Sequence, residues 1–287
     1  MADIVYMSKK AWTALLDAIR AKSGHSGTLT ASGAKAAVDS IETGGGAQTY
    51  DYPLAALERT KSAPTIDPTA TKISDSVFTN YNELTSISLP DSIETIGQNA
   101  FSGCSNLTLS TLPASLKTLG SGAFANSGIS VSALPEGLTT IGDMCFQMCA
   151  NIESVVIPAS VTSLGFGIWS PCTGLKSVTV NAAIALDSWT FSDCKLLSKI
   201  IINGSASIAG DTFGGATAET GAMVIRYADG IVQLTSEYNH SYNPDLHIGT
   251  STFPVYVPDA LLDSYKTATN WSKIADNIRA LSTYTEA

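Results

Sequence analysis

The stretch 96-IGQNAFSGCSNL-107 returns in altered form every 22 or 23 residues along the chain. It reappears as LGSGAFANSGI at 119–129, IGDMCFQMCANI at 141–152 and LGFGIWSPCTGL at 164–175. An aromatic residue occupies one position of every copy, at Phe78, Phe101, Phe124, Phe146, Trp169, Phe191 and Phe213. A unit of this size cannot bury its own apolar face, so the repeat predicts a solenoid in which consecutive turns stack.

Each unit also contains a short apolar segment that predicts a β-strand. LKSVTV at 175–180 and LSKIII at 197–202 place apolar residues at alternate positions, which is the period of a strand with one buried face. In four units the segment closes on an apolar residue followed by Pro, which is tolerated at strand ends. We therefore expect one strand per turn and about six or seven turns of parallel β-structure between residues 71 and 214.

The outward positions of these strands follow from the alternation, if Leu84 and Ile87 point inward. They carry mainly small, uncharged side chains and no aromatic ring: Ser86, Ser88, Leu109, Thr111, Val131, Ala133, Ser154, Val156, Ser177, Thr179, Lys199 and Ile201. Protein-binding faces are enriched in Tyr, Trp and Arg. We therefore expect recognition at the 215–252 end rather than on this face.

The pattern aliphatic-Gly-x-x-Ala-Phe-x-x-Cys-x-x-Leu, followed by Ile-Pro, resembles the BspA-like leucine-rich repeat family. The resemblance extends over residues 71–214 and implies a right-handed, parallel-stranded leucine-rich solenoid. The family is associated with adhesion and surface recognition, so a binding role is also implied. Two features depart from the pattern: Trp169 replaces Phe, and Asn181 and Asn203 stand where Pro is expected.

Four cysteines occupy one position of the repeat, at Cys104, Cys149, Cys172 and Cys194, and Ser127 takes that position in another unit. Zinc sites use pairs of Cys or His a few residues apart that are answered by a second pair. Only Cys145 and Cys149 are close, and no His is near them. A disulfide between neighbouring turns stays open on distance alone. The odd number of cysteines favours buried, reduced thiols that form a structural ladder beside the aromatic residues.

Residues 1–43 predict a small helical hairpin, followed by a linker and N-cap at 44–70. In the first helix Trp12, Leu15, Leu16 and Ile19 form one apolar stripe. An isolated hairpin of this size is marginally stable, so we expect the stripe to serve attachment or oligomerisation. An ordinary cap on the first repeat is the alternative.

The segment SKKAWTALLDAIRAKSGHSGTLTASGAKAAVDSI at 8–41 is similar to helical segments of tail-associated proteins of bacteriophages and prophages. The shared pattern is Leu-x-x-Ala-Ile-Arg-x-Lys-x-Gly, a spacer and a second helix that ends in Ile. This resemblance implies that the hairpin contacts a virion partner or further copies of the chain.

Residues 253–287 resemble the closing segment found after such repeats, a strand followed by a helix. The strand is predicted at 254–257, and Trp271, Ile274, Ile278 and Leu281 then form a helical apolar stripe. Between the repeats and this cap, residues 215–252 predict a loop insertion. Its Tyr, Ser, Asn and Gly content is typical of recognition loops, which makes Tyr227, Tyr238, His240 and Tyr242 candidate ligand-binding residues. The alternative is that the tyrosines lie against the end of the solenoid.

The composition of the 287 residues, 44% hydrophobic and 14% charged, indicates a folded protein with a large core. A formal net charge of -9 disfavours binding to nucleic acid or to anionic lipid. Apolar runs fall short of the ~18 residues that a membrane-spanning helix needs, so we expect no membrane insertion. The N-terminal segment lacks the features of a secretory signal, so we expect synthesis without signal peptide in the bacterial cytoplasm.

Motifs for catalysis are not recognisable. The chain holds three His, and no arrangement of Ser, His and Asp stands out. The glycine pairs in LGSGAF and LGFGIW belong to the repeat and lack the third glycine and the βαβ context of a dinucleotide site. We expect no enzymatic activity, no catalytic residue, no metal site and no cofactor.

The sequence therefore predicts a non-enzymatic binding or structural protein. The leading hypothesis is a phage or prophage tail-associated component, located in the virion, which recognises a bacterial surface protein or glycan. The alternative is a BspA-like adhesin or protein-interaction module at the bacterial cell surface.

Overall fold

The computed structural model describes residues 48–50, 63–64, 66, 68–187, 189–204, 207–209, 211–214, 218–235 and 248–286. The predicted hairpin 1–43, with Trp12, Leu15, Leu16 and Ile19, lies outside the described residues. The strands of the described part are β1 (Gln48–Tyr50), β2 (Ala70–Ile73), β3 (Thr95–Ile96), β4 (Thr118–Leu119), β5 (Thr140–Ile141), β6 (Ser154–Ile157), β7 (Ser163–Leu164), β8 (Ser177–Val180), β9 (Ala185–Leu186), β10 (Lys199–Ile202), β11 (Ser207–Ile208), β12 (Ala222–Ile225), β13 (Gln233–Leu234), β14 (Val255–Val257) and β15 (Ile278–Ala280).

Helical structure is confined to the C-terminal part of the described residues. It comprises a 3₁₀ helix at Asp259–Leu261, the α-helix α1 at Leu262–Thr267, and 3₁₀ helices at Trp271–Asn277 and Leu281–Thr283. None of these helices has the length and apolar composition needed to span a bilayer.

The strands form three parallel sheets, so the predicted solenoid is confirmed. The first sheet has the order β1-β2-β3-β4-β5-β7, the second β15-β14-β12-β10-β8-β6, and the third β13-β11-β9. In the first sheet each aliphatic residue lies beside its equivalent in the next turn, for example Ile96 beside Leu119 and Leu119 beside Ile141. The stack has about eight turns, because strands continue beyond residue 214.

The centre of the solenoid is a continuous stack of seven aromatic rings. Successive ring centroids from Phe78 to Phe213 lie 5.2, 5.2, 5.8, 5.7, 5.1 and 5.6 Å apart, and no pair is tilted by more than 12°. All seven side chains are fully buried. Such pairs contribute about 0.5–1.5 kcal/mol beyond the burial of their area, so the stack ties each turn to the next.

The glycine that follows the aliphatic residue permits this close stacking. A Cβ atom at Gly142 would lie 2.5 Å from the backbone nitrogen of Ser121, and one at Gly165 would lie 2.4 Å from that of Asp143. Both distances are far inside van der Waals contact, and the clash would be with backbone rather than with a movable side chain. In these turns the glycine therefore removes a side chain at a point where two turns touch.

The range 215–252 differs from the predicted loop insertion, because it supplies β12 and β13. Strand β12 pairs in parallel with both β10 and β14, and β13 pairs with β11. The consecutive apolar residues of Ala222–Ile225 are typical of a strand that is buried on both faces, so alternation was absent as a signal. At the other end, strand β1 lies inside the predicted linker 44–70 and pairs with β2.

Two predicted outward positions are wrong. Leu109 and Val131 are buried, whereas Ser110 and Ser132 beside them are exposed. Ile87 lies three residues after the buried Leu84 of its turn. Leu109 and Val131 each lie only two residues after the equivalent buried residue. The burial of these side chains sets which way the local backbone faces, since a shift of one residue exchanges the two faces of an extended segment.

The C-terminal cap combines strand and helix as predicted, but its second helix is shorter than expected. Trp271 and Ile274 lie in a 3₁₀ helix that ends at Asn277, and Ile278 begins β15. Strand β15 pairs in parallel with β14 along its whole length. The added strand satisfies backbone groups of β14 that a helix would leave without sheet partners.

Candidate interaction surface

The cysteine ladder has a structural role that is visible in its hydrogen bonds. Each thiol donates to the backbone carbonyl oxygen of an aromatic residue of the repeat. The distances are 3.0 Å for Cys104 to Phe78, 3.0 Å for Cys149 to Phe124, 3.1 Å for Cys172 to Phe146 and 3.3 Å for Cys194 to Trp169. In these turns the position holds a small side chain that can donate, and Ser127 is another side chain of this kind.

Burial suppresses the chemistry of these thiols. It raises the pKa of Cys145, Cys149 and Cys172, and it raises the pKa of Cys194 to about 12. All five cysteines are buried thiols outside any disulfide. A protonated, inaccessible thiol is neither a good nucleophile nor a metal ligand. Among the described residues no group of three or more His, Cys, Asp or Glu is arranged to hold a metal ion.

We predict that none of the five thiols reacts with a disulfide reagent such as DTNB in the native protein at pH 8. In denaturant the same sample should release five equivalents of the thiolate product, because unfolding exposes every cysteine. Absorbance at fixed time points measures both. Reaction of even one thiol within minutes under native conditions would contradict the burial described above.

The residues predicted to bind a ligand in the 215–252 range are only partly described. Tyr227 is half-buried and lies against the hydrophobic core. Tyr238, His240 and Tyr242 lie outside the described residues. The position of Tyr227 agrees with the alternative that tyrosines of this range lie on the solenoid rather than project from it.

A column of residues with left-handed backbone runs along one edge of the solenoid, three positions after the aliphatic residue of each turn. It comprises Ser76, Asn99, Gly122, Met144, Gly167 and Trp189, whose φ angles lie between 53° and 63°. Five of these backbone N–H groups, all but that of Gly167, are seen to donate to the following turn, for example Met144 to the carbonyl of Phe166 at 2.8 Å and Trp189 to that of Asp211 at 3.0 Å. The ladder between turns thus imposes this conformation whichever side chain is present.

Met144 and Trp189 are unusual members of this column. Left-handed backbone favours Gly and Asn, and a bulky residue held there costs of order 1–3 kcal/mol. Both side chains nevertheless project to solvent, with exposed fractions of 39% for Met144 and 52% for Trp189. Nothing in the packing of the core requires them, since neither is buried.

Phe166 joins these two residues into a continuous surface, which we call the apolar ridge and define as Met144, Phe166 and Trp189. The ring of Phe166, 37% exposed, lies 5.3 Å from that of Trp189 at an angle of 53°. The side chain of Met144 lies over Gly167, where a Cβ atom would come within 3.8 Å of its Cγ. The ridge therefore spans three consecutive turns.

The ridge has an acidic border. Asp143 and Asp187 are exposed beside it, and Asp193 is exposed in the same turn as Trp189. The turn segments 141–150, 164–172 and 186–194 contain no Lys or Arg. The Asp143 carboxylate accepts a hydrogen bond from the backbone N–H of Phe166 at 2.9 Å, which fixes one charge close to the apolar surface.

Residues 71–198 match the family model of the BspA type leucine-rich repeat region, in six copies. This region is similar to BspA-type leucine-rich repeats. The match covers somewhat less than half of the chain and includes all three residues of the apolar ridge. It confirms the predicted relationship for the repeats, and it does not extend to the N-terminal or C-terminal segments.

Solved structures with similar chains are also leucine-rich repeat proteins or bacterial antigens. A leucine-rich repeat protein from Bacteroides ovatus is 24% identical, with a TM-score of 0.48, over 70% of this chain and 62% of its own. The leucine-rich repeat protein of T. pallidum is 26% identical, with a TM-score of 0.47, over 54% of this chain and 76% of its own. The pneumococcal vaccine antigen PcpA is 21% identical, with a TM-score of 0.40, over 72% and 42%. The chain thus spans about 62% of the length of the Bacteroides ovatus chain.

No curated protein matches the chain significantly. The comparisons show no enzymatic domain and give no support to the predicted similarity of residues 8–41 to phage tail-associated proteins. The repeat match fits the BspA-like alternative better than the tail-associated hypothesis.

The predicted ligand-binding residues do not include the apolar ridge. Aligning the BspA-type repeats on their aromatic residue places Met144 and Trp189 opposite Asn99 and Gly122. A large apolar residue at a position that otherwise carries Ser, Asn or Gly was therefore a signal present in the sequence.

Proposed function

We propose that this protein is a non-enzymatic, adhesin-type interaction module that binds a partner protein at a bacterial cell surface through the apolar ridge. The BspA-type repeat match supports a binding module of this general type. The observation that carries the proposal is the row of Met144, Phe166 and Trp189, exposed on three consecutive turns, with Met144 and Trp189 held there at a conformational cost.

The residue types of the ridge are those that dominate binding energy in protein interfaces. Trp, Phe and Met are enriched at the centre of such interfaces, and a few aromatic anchors usually supply most of the affinity. Among the described residues the large exposed apolar side chains are Met144, Met148, Phe166, Trp189 and Leu196, so the ridge holds three of these five. Contiguous exposed apolar patches mark interaction sites, and the ridge brings three of these side chains together.

The acidic border specifies the partner further. Carboxylates around an apolar centre, without any Lys or Arg in segments 141–150, 164–172 and 186–194, attract a partner that presents Lys or Arg around an apolar side chain. Binding should therefore weaken as salt increases, since exposed charges are screened over roughly 8 Å at physiological ionic strength.

Selection from a random peptide library displayed on beads tests this function with the full chain. A variant carrying Met144→Asn, Phe166→Ser and Trp189→Asn restores residue types found at equivalent positions of other turns. We expect selected peptides to be enriched in Lys or Arg beside an aromatic or aliphatic residue, and to bind this variant at least tenfold more weakly. Leu196→Asn is the matched control, because Leu196 is as exposed as Trp189 and lies outside the ridge.

Two results would overturn the proposal. One is that selected peptides bind the triple variant as well as the unchanged protein, which would place the binding site elsewhere. The other is that they show no excess of basic residues, which would remove the charge argument. Binding to an array of bacterial glycans that depends on Trp189 would instead favour a carbohydrate partner.

We predict that Trp189→Gly leaves the protein more stable than Phe166→Gly by about 1–2 kcal/mol. Both changes remove the same ring contact and introduce the same flexible residue, but only residue 189 has left-handed backbone, which disfavours a side chain by that amount. Urea unfolding of the two variants measures the difference. Equal stabilities would show that the backbone at residue 189 carries no strain.

The tail-associated hypothesis rests on residues 8–41 and has a separate test. Light scattering after size exclusion should compare the full chain with a full-length variant in which Trp12, Leu15, Leu16 and Ile19 are replaced by Ser. If the hairpin is an assembly element, the full chain is an oligomer and the variant a monomer. Equal masses would remove the role in self-association that is proposed for this stripe.

A further inference from the structure

The outer face of the second sheet contains apolar side chains that are hidden from solvent. In β10 and β12 the residues Ile200, Ile202, Met223 and Ile225 belong to the core. Ile201 and Val224 alternate with them and so point to the opposite face. They are paired across the two strands, yet their exposed fractions are only 9% and 0%.

The described segment that crosses this face is 281–286. The ring of Tyr284 lies 5.0 Å from that of Tyr256 in β14. Two residues further on, the carboxylate of Glu286 pairs with the Lys199 ammonium in β10. Because β12 lies between β14 and β10 in the sheet, the segment passes over β12 between these two contacts.

The anchors of this segment are polar and lie at the surface. Asp259 accepts a hydrogen bond from the backbone N–H of Ser282 at 2.9 Å, which fixes the start of the crossing. The hydrogen bond and the charge of Lys199 lower the pKa of Glu286, and the charge of Arg226 acts in the same direction. A cavity of about 390 Å³ remains beside the segment, lined by residues that include Lys199, Ala222, Tyr256 and Tyr284.

We propose that the outer face of β10, β12 and β14 is a docking face for a short peptide segment, and that residues 281–286 occupy it as an internal ligand. The partner segment carries an aromatic residue that packs against Tyr256 and, two positions later, a carboxylate that pairs with Lys199. Its binding displaces residues 281–286. The partner must therefore bind the face tightly enough to compete with the internal segment. This face is distinct from the apolar ridge, and the inference does not depend on the proposed function.

The internal segment should act as a strong competitor because it is tethered. A ligand joined to its site by a short chain has an effective concentration in the millimolar range. A free peptide at micromolar concentration therefore binds poorly while the segment is in place. Weakening the two contacts of the segment removes this competition without changing the face itself.

The test uses the full-length chain with Tyr284→Ala and Glu286→Lys, and a fluorescein-labelled peptide of sequence LSTYTEA, which corresponds to residues 281–287. We expect fluorescence anisotropy to show binding to this open variant at least tenfold tighter than to the unchanged protein. Adding Lys199→Glu to the open variant should reduce binding at least tenfold. A peptide in which Tyr is replaced by Ala and Glu by Lys should bind neither protein.

Circular dichroism establishes that the variants are folded, and Glu286→Lys alone serves as a milder open variant if the double substitution unfolds the chain. Binding of the peptide that is equal in the unchanged and open proteins would overturn the proposal, since the site would then lie elsewhere. Absence of binding to a folded open variant would overturn it as well.

Discussion

Replacing Phe124 by Ala should lower the free energy of unfolding by about 3–5 kcal/mol, the range for truncating a buried aromatic side chain. Phe124 is fully buried and stacks on both sides, 5.2 Å from Phe101 and 5.8 Å from Phe146, so its loss leaves a cavity and interrupts the column. Urea unfolding followed by circular dichroism measures the change. Phe124→Leu, which fills part of the space, is the matched control and should cost less than half as much.

The same experiment reports on cooperativity. A solenoid transmits stability only between neighbouring turns, so a weak point in its middle can separate the two sides. If the sides unfold independently in Phe124→Ala, the transition broadens or divides and the dependence on urea becomes less steep. A loss below about 1 kcal/mol would contradict the role assigned to the stack.

The protein should lose stability steeply as the pH rises above about 9, through its buried thiols. Burial raises the pKa of Cys145, Cys149, Cys172 and Cys194 in the folded state, whereas an unfolded thiol titrates near 8.5. The contribution of these thiols to the free energy of unfolding is fully present at any pH below the pKa of a thiol in the unfolded chain. Above it the unfolded chain has released protons that the folded chain keeps, so the free energy of unfolding falls as pH increases.

Each such thiol contributes a slope of up to about 1.4 kcal/mol per pH unit, so four together contribute roughly 5–6 kcal/mol per unit between the unfolded and folded pKa values. Tyr265 adds to the loss above pH 10, because burial raises its pKa to about 12. Urea unfolding at intervals from pH 7 to 10.5 measures the slope. Cys172→Ser is the matched control: Ser127 shows that Ser fits this position, and the variant should lose one thiol's share of the slope. A flat profile, or an unchanged slope in the variant, would contradict the assignment.

The architecture was predictable because one signal repeats. The aromatic column at 22 or 23 residues, together with the preceding aliphatic column, is satisfied only when consecutive turns align, and the paired positions Ile96, Leu119 and Ile141 show this alignment. Each turn carries the same sequence pattern, so a prediction that is ambiguous for one turn can be decided from the neighbouring turns. Leu109 and Val131 were mispredicted because local backbone followed the apolar side chain where the repeat is shifted by one residue.

The apolar ridge was harder to predict because its defining property is a backbone angle. Left-handed conformation is inferred from Gly or Asn, and Met144 and Trp189 carry neither signal. The hydrogen bonds between turns, which impose the angle, become visible only in the structure. Likewise, nothing in the composition of Ala222–Ile225 distinguishes a strand covered on both faces from a buried helix, since both are uniformly apolar.

The left-handed column also defines a row of display positions. Because bonds from the backbone hold Ser76, Asn99 and Gly122 in the same conformation as Trp189, the side chain there is free to vary without altering the fold. Stacked strands lie about 4.8 Å apart, so side chains in this row are spaced regularly at about that distance. Substitutions at these positions can therefore build a new binding surface one turn at a time. Each aromatic residue introduced there lowers the free energy of unfolding by about 1–3 kcal/mol. In such a scaffold the number of turns sets how long a binding surface can be, and the stability of the aromatic stack sets how many strained residues it can carry.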